Sequence, residues 1–252
     1  MAISSAFFRL LYLIERAAAY GQGKGYGASS IEQEIKLLQR QLDASPRLAI
    51  DIGGHVGNYT AELRKRNPDL EIHTFEPSPV NVAKLRDRFK NDESVHVVPF
   101  ALSDAAGLLT LHSNEAGSAL GSLTERRLDH FGIGFGVTES IDAIRFEDYW
   151  KTTLSSRPLD LVKIDVEGHE LPVLNGFGGA LQAARMVQFE FGGCNIDTRT
   201  YFQDFWYFFK DKGFTLQRIT PFGSQHIDRY KEFEETFSAT NFIAVNRRYV
   251  SA

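Results

Sequence analysis

From Arg47 onward, short β-branched or apolar runs alternate with helix-patterned segments, and this alternation restricts the fold more than any other property of the chain. Runs at 48–52, 71–75, 95–101, 159–165, 186–191, 215–219 and 241–246 read as seven strands. Helical spacing fills the gaps at 59–66, 80–91, 171–184 and 201–212. Successive strands separated by a helix pair in parallel, because only a long crossover returns the chain to the same direction. The expectation is an α/β, Rossmann-like, doubly wound and mostly parallel seven-stranded sheet with a hairpin-like final pair. Within 107–149, "GLLTLH" reads as an extra strand and "GSALGSLTERR" as a polar loop bordering a substrate cleft.

Residues 1–46 do not follow that alternation and form an N-terminal helical extension, leaving 47–252 as the main domain. Phe7, Phe8, Leu11, Tyr12 and Ile14 fall near helical spacing, which suits packing against the domain body, a dimer partner or a membrane surface. Packing against the body is the preferred expectation. Arg9, Glu15 and Arg16 interrupt the apolar run, so neither a transmembrane segment nor an export signal is expected, and the reading is cytoplasmic. Next comes a Gly-rich loop, "GQGKGYGASS", either a linker or a lid in which Lys24 and Tyr26 close over a ligand. A second helix, "IEQEIKLLQRQLD", follows with Ser29 or Ser30 as its cap.

Composition excludes some functions. A formal charge of -4, with no long run of like sign, gives no electrostatic footprint for nucleic acid. The single cysteine, Cys194, rules out an intrachain disulfide and a cysteine-based metal cluster. The seven histidines are scattered without a His-x-x-x-His pair.

Parallel sheets bind ligands beyond the carboxyl ends of their strands, where the strand order reverses. The residues just after the strands are Asp51, Gly53, Gly54, His55 and Gly57, then Glu76, then Ser103 and Asp104, then Asp165 and Glu167, then Glu190. Glu76 closes the second strand, where a carboxylate accepts both hydroxyls of an adenosine ribose. That role suits NAD as well as S-adenosylmethionine. The glycine pattern separates them, since a G-x-G-x-x-G loop needs glycines at 53, 55 and 58, and the chain has His55 and Asn58. Its spacing, Asp-x-Gly-x-x-x-Gly, is that of S-adenosylmethionine sites.

With "DIGGHVGNYT", "FEPSPVN", "VVPFALSDAAGLLTLH", "LDLVKIDVEGHELPVLNG" and "VQFEF" in this order, the chain resembles the FkbM family of S-adenosylmethionine-dependent methyltransferases over roughly 47–246. The resemblance implies a class I methyltransferase fold. It also implies that Asp51, Gly53, Gly54, His55, Gly57, Asn58 and Tyr59 form the cofactor loop, that Glu76 holds the ribose, that Ser103 and Asp104 lie near the adenine, and that Asp165 stands beside the cofactor. The implied reaction is O-methylation of a small-molecule or glycan hydroxyl.

Methyl transfer from a sulfonium is an in-line displacement, accelerated largely by alignment in a closed site. A hydroxyl acceptor benefits from a base. "KIDVEGHE" supplies the candidate catalytic residues Asp165, Glu167 and His169, with His169 as general base unless it only faces solvent at a helix start. Asp165 orients the acceptor or caps the next helix, and Glu167 and Glu170 also suit a helix first turn whatever their function. No resident metal is assigned. The rival is a divalent ion on Asp165 and Glu190 with Asn195 and Asp197, against the simpler view that 192–200 caps a helix. A nicotinamide oxidoreductase and a non-catalytic S-adenosylmethionine-binding protein stand as alternatives. The aromatic run "YFQDFWYFFKDKGF" serves core packing or a subunit interface.

Overall fold

The computed structural model describes residues 5–27, 31–42 and 45–249. In chain order the elements are helices α1 (Ser5–Gly21) and α2 (Ile31–Gln39), strand β1 (Leu48–Ile52), α3 (Asn58–Arg66), β2 (Glu71–Phe75), α4 (Pro79–Arg88), β3 (Val95–Val98), β4 (Ala101–Leu102) and β5 (Gly107–Ser113). They continue with β6 (Val137–Ile144), α5 (Phe146–Thr152), β7 (Leu159–Ile164), α6 (Glu170–Gly176), β8 (Ala184–Phe191), α7 (Cys194–Thr198), α8 (Phe202–Asp211), β9 (Phe214–Thr220), β10 (Gly223–His226) and β11 (Thr240–Asn246).

The main sheet runs β10-β9-β11-β8-β7-β1-β2-β3. Pairs among β3, β2, β1, β7 and β8 are parallel, and β11 enters antiparallel between β8 and β9. All seven strands read from the sequence are present, and the short edge hairpin strand β10 makes an eighth. The order reverses between β1 and β7, so their carboxyl ends open a crevice there. β1 is buried at every position, as expected of a central parallel strand covered on both faces.

The third predicted strand, 95–101, is divided. β3 stops at Val98, and Ala101–Leu102 turns into a second sheet of order β4-β6-β5, which carries the predicted "GLLTLH" strand. The predicted helix 171–184 is also broken, because α6 ends at Gly176 and the chain tightens into a 3-10 turn over Gly178–Ala183. α4 begins with Pro79, whose missing N–H costs nothing in a first turn.

Two expectations for the N-terminus are corrected. α1 buries none of its residues, and Phe7, Phe8, Leu10, Leu11, Tyr12, Leu13 and Ile14 are all exposed, so it does not pack on the domain body. A dimer partner and a membrane surface remain, both external to this chain. No helix among the described residues is long and apolar enough to cross a membrane. Over its described residues 21–27 the Gly-rich segment is neither a free linker nor a lid. Gly27 donates its N–H to Ala239 O at 2.9 Å, Lys24 Nζ donates to Phe233 O at 2.6 Å, and Tyr26 is buried with its hydroxyl on Gln33. The caps Ser29 and Ser30 lie outside the described residues.

α2 packs as part of the body, with Ile35 and Leu38 against Ala49, Leu63, Ile72 and Leu161. The packing boundary therefore follows α1 and does not fall at residue 46.

The aromatic stretch resolves as core. α8 buries Phe202, Phe205, Trp206 and Phe209, and Phe189 of β8 stacks on Phe205, Phe209 and Phe242 at centroid distances of 5.0, 5.2 and 5.5 Å. Asp204 accepts from Tyr201 N–H at 2.8 Å in a capping box at the helix start. Because Phe189 is fully buried at the centre of this stack, Phe189→Ala is expected to lower the free energy of unfolding by about 3–5 kcal/mol, measured by urea denaturation.

Candidate active site

The crevice between β1 and β7 is a cavity of roughly 300 Å³, at the small end of the range for small-molecule sites. Its floor is built from backbone. Gly53 and Gly54 both donate N–H to Phe75 O, at 2.9 and 3.0 Å, and Asp165 N–H donates to Ile52 O at 3.0 Å. Gly53 has a φ of 84° and its α-carbon faces Asp165 O so closely that a methyl group there would overlap the carbonyl. The glycine thus lets β1 and β7 end side by side.

Glu76 is the best-held polar group on the wall. Its Oε2 accepts His55 N–H at 2.8 Å, and Oε1 accepts Ser78 N–H at 3.0 Å and Asn81 Nδ2–H at 3.4 Å. Burial nevertheless raises its carboxyl to about 7, against the pull of those N–H donors. Asn81 lines the cavity, and its buried Oδ1 has no hydrogen-bond partner.

On the opposite wall, the β7–α6 turn presents Asp165, Glu167 and His169. Lys163, nearly fully buried, donates from Nζ to Asp165 Oδ2 at 2.9 Å. Glu167 sits at a φ of 52°, and its Oε2 accepts from Arg126 at 2.5 Å. Burial and then the Asp165 charge push the Glu167 carboxyl up to about 7, while Arg126 opposes this. His169 does not merely face solvent, since it lines the cavity with Nε2 2.9 Å from Ser103 Oγ. Burial lowers its imidazole, with Asp104 working against the shift.

The loop carrying the "GSALGSLTERR" segment closes the top. Gly117 O lies 3.2 Å from His55 Nε2, and Ser122 Oγ donates to Glu167 O at 2.7 Å, so the loop is tied to both turns.

Of the cofactor-loop residues expected from sequence, Gly53, Gly54, His55, Asn58, Tyr59, Glu76 and Asp165 line the cavity. Asp51, Gly57, Ser103 and Asp104 do not. Asp51 lies buried behind the wall, where its Oδ2 accepts Thr60 Oγ1–H at 2.6 Å and burial raises it to about 6. Gly57 has a φ of 80°, and a side chain there would strike Leu85 and Phe89. Ser103 stands behind His169 and donates to Asp104 Oδ1 at 3.2 Å, while Asp104 itself is exposed. Sequence reasoning missed Lys163, Arg126, Ser78, Asn81 and Glu139. "FEPSPVN" contains Ser78 and Asn81, and their proximity to Glu76 in sequence was the available signal. Arg126 carried none. In the alternative oxygen set, Asn195 Oδ1 accepts Gly192 N–H at 2.8 Å and Asp197 accepts from Arg126 and Arg127, so both already have protein partners.

A doubly wound, mostly parallel sheet whose glycine-floored crevice opens where the strand order reverses is the architecture of the class I methyltransferases. The Methyltransferase FkbM domain model matches residues 51–216. The chain therefore belongs to the FkbM family of S-adenosylmethionine-dependent methyltransferases, which displaces the oxidoreductase alternative. It is 24% identical over 191 residues to the 2-O-methyltransferase NoeI of Sinorhizobium fredii, covering 72% of this chain and 78% of that one. It is 20% identical over 188 residues to Methyltransferase 1 of Beauveria bassiana, covering 65% and 76%. The fold is shared with the plantazolicin methyltransferase BpumL, whose structure holds SAH, at a TM-score of 0.50 and 9% identity over 94% of this chain and 90% of that chain.

The residues present fit the family's cofactor. Glu76 offers two clamped oxygens to a diol, and Asn81 Oδ1 is a buried acceptor still lacking a donor.

The floor glycine should be intolerant of any side chain. Gly53→Ala is expected to cost about 1–3 kcal/mol from its left-handed φ alone, before the overlap with Asp165 O is counted. Gly107→Ala, with nothing within 4 Å, should melt within a degree or so of wild type. Thermal denaturation of the two variants side by side checks this.

Proposed function

We propose that the chain is an O-methyltransferase whose acceptor is a hydroxyl of a small molecule or sugar. The observation that carries the reading is the charge of the cavity lining. Glu76, Glu139, Asp165 and Glu167 line it, and among the described lining residues there is no lysine or arginine. Such walls offer no cation to pair with a carboxylate or phosphate acceptor and present hydrogen-bond acceptors to a neutral polyol.

When bound, S-adenosylmethionine supplies an electrophilic methyl group on its sulfonium. The chain's own residues do the rest. Asp165, held by the Lys163 ammonium, accepts a hydrogen bond from the acceptor and orients it along the displacement axis. His169 serves as the base. Ser103 Oγ donates to Asp104 and accepts from His169 Nε2–H, which leaves Nδ1 as the proton acceptor. The lowered pKa keeps that ring neutral near pH 7. The loop tied down by His55 and Glu167 limits water entry. This reading gives Ser103 and Asp104, which do not line the cavity, the task of positioning His169 in place of the adenine contact expected from sequence. Buried Cys194, a free thiol, accords with a reducing cytoplasm.

Release of S-adenosylhomocysteine across a panel of sugars, polyols, carboxylates and amines tests the acceptor class. Turnover confined to hydroxyl acceptors is expected, with His169→Ala slowed by about 10²–10⁴-fold. Cofactor binding without turnover on any acceptor would favour the non-catalytic alternative.

Cofactor affinity should also depend on pH. With the Glu76 carboxyl at about 7, the ionised form that accepts the ribose hydroxyls must be generated on binding, so a proton is released below neutrality. Affinity is expected to rise about tenfold per unit from pH 5.5 to 7 and to level off above, measured by calorimetry. Glu76→Ala flattens that profile and weakens binding by about 1.5–3 kcal/mol.

A further inference from the structure

The histidines are scattered in sequence, but strand register brings two of them together. His73 of β2 and His96 of β3 are direct partners in the parallel ladder, so their side chains leave the same face of the sheet. Glu71 precedes His73 by two residues and therefore shares that face. The outcome is a compact group at the edge of the sheet. Glu71 Oε1 lies 2.9 Å from His73 Nε2 and 3.9 Å from His96 Nε2, and the ligand atoms of all three fall within 4.8 Å of one another. The imidazoles are tilted, with ring centroids 4.4 Å apart.

We propose that Glu71, His73 and His96 form a binding site for a divalent transition metal, with Zn²⁺ the best match. Two imidazoles and one carboxylate are a common zinc donor set, leaving one or two positions for water. His96 is 46% exposed, so the open positions face solvent. The surroundings are those of a metal site. His73 Nδ1 stands 2.7 Å from the Tyr149 hydroxyl, which fixes the ring with Nε2 turned toward the other two ligands. Arg157 grips Glu71 through Oε2 at 2.8 Å and Oε1 at 3.1 Å, orienting the carboxylate. Its positive charge also opposes a cation, which points to micromolar rather than tighter affinity. On binding, the metal replaces the proton on His73 Nε2 and His73 Nδ1 then donates to Tyr149. None of these residues lines the methyl-transfer cavity. The ion would fasten the edge strand β3 to β2 and to α5, which carries Tyr149.

The test is zinc titration of the chelator-stripped full chain by calorimetry, repeated with Co²⁺ and followed by its ligand-field absorption. One equivalent with micromolar affinity is expected, together with a raised melting temperature. Because His73 is buried and its loss threatens folding, the ligand variants are His96→Ala, on the exposed side, and Glu71→Gln. Each should weaken binding by more than the ten- to hundred-fold that loss of an outer partner costs. Tyr149→Phe, which keeps all three ligands, should fall within that ten- to hundred-fold range. Absence of a saturable equivalent in the wild type, or equal affinity in His96→Ala, overturns the proposal. Neither result bears on the methyltransferase reading.

Discussion

The ammonium of Lys163 is the charge on which the arrangement of the site depends. It lies buried near Asp165, Glu34, Asp51 and Glu190. Burial alone would lower its pKa, yet the Asp165 and Glu34 carboxylates reverse that and raise it. A lysine neutralised here would leave several carboxylates facing one another in low dielectric. Burial and neighbouring carboxylates already push Glu167 and Glu170 to about 7 and raise Glu190, so the surplus of negative charge is carried partly as bound protons. Asp165 is the member that Lys163 holds directly, and it shares the cavity wall with Glu167.

Both turns that frame the cavity hold a side-chain-bearing residue in the left-handed region, His55 at a φ of 48° and Glu167 at 52°. A conformation of this kind costs on the order of 1–3 kcal/mol and persists where its surroundings over-determine it. Here the surroundings are identifiable. His55 is fixed through its N–H on Glu76, and Glu167 through Arg126 and Ser122. On the Glu167 side the hydrogen bonds that offset the strain also hold the loop over the crevice, and on the other side the His55 ring meets the same loop at Gly117 O.

The central strands were legible because they are buried on both faces, which leaves largely apolar runs such as Leu48–Ile52, where Asp51 is the one polar member. β6 and α5 were not, since the inward positions of Val137–Ile144 include Glu139, which breaks the apolar alternation, and Phe146–Thr152 buries only Phe146. The glycine spacing and the strand-terminal carboxylates located the cavity. What they lacked was direction. Asp51, one residue before the end of β1, and Glu76, one residue past the end of β2, read alike, but one lies behind the wall and the other on it, with Thr60 and Asn81 as their respective partners. Arg126 reaches Glu167 only because the loop folds over, and no local pattern encodes that contact. The amphipathic spacing of α1 was real, but spacing alone says nothing about where the apolar face goes.

Glu34 gives α2 a property that apolar packing could not. Its carboxylate is buried, with Oε2 accepting Gln188 Nε2–H and Oε1 accepting Asn241 Nδ2–H, both at 2.8 Å, and Gln188 in turn accepts the Tyr59 hydroxyl at 2.7 Å. Ile35 and Leu38 would tolerate a helix rolled by some degrees or slid by part of a turn. A carboxylate that must meet two amides on β8 and β11 would not. It acts as a key that admits one roll angle and one axial position, and through Gln188 and Tyr59 the same key sets the start of α3. Shortening the chain to its family-matched portion would therefore remove the alignment reference for the first helix of the cofactor crevice along with a patch of core.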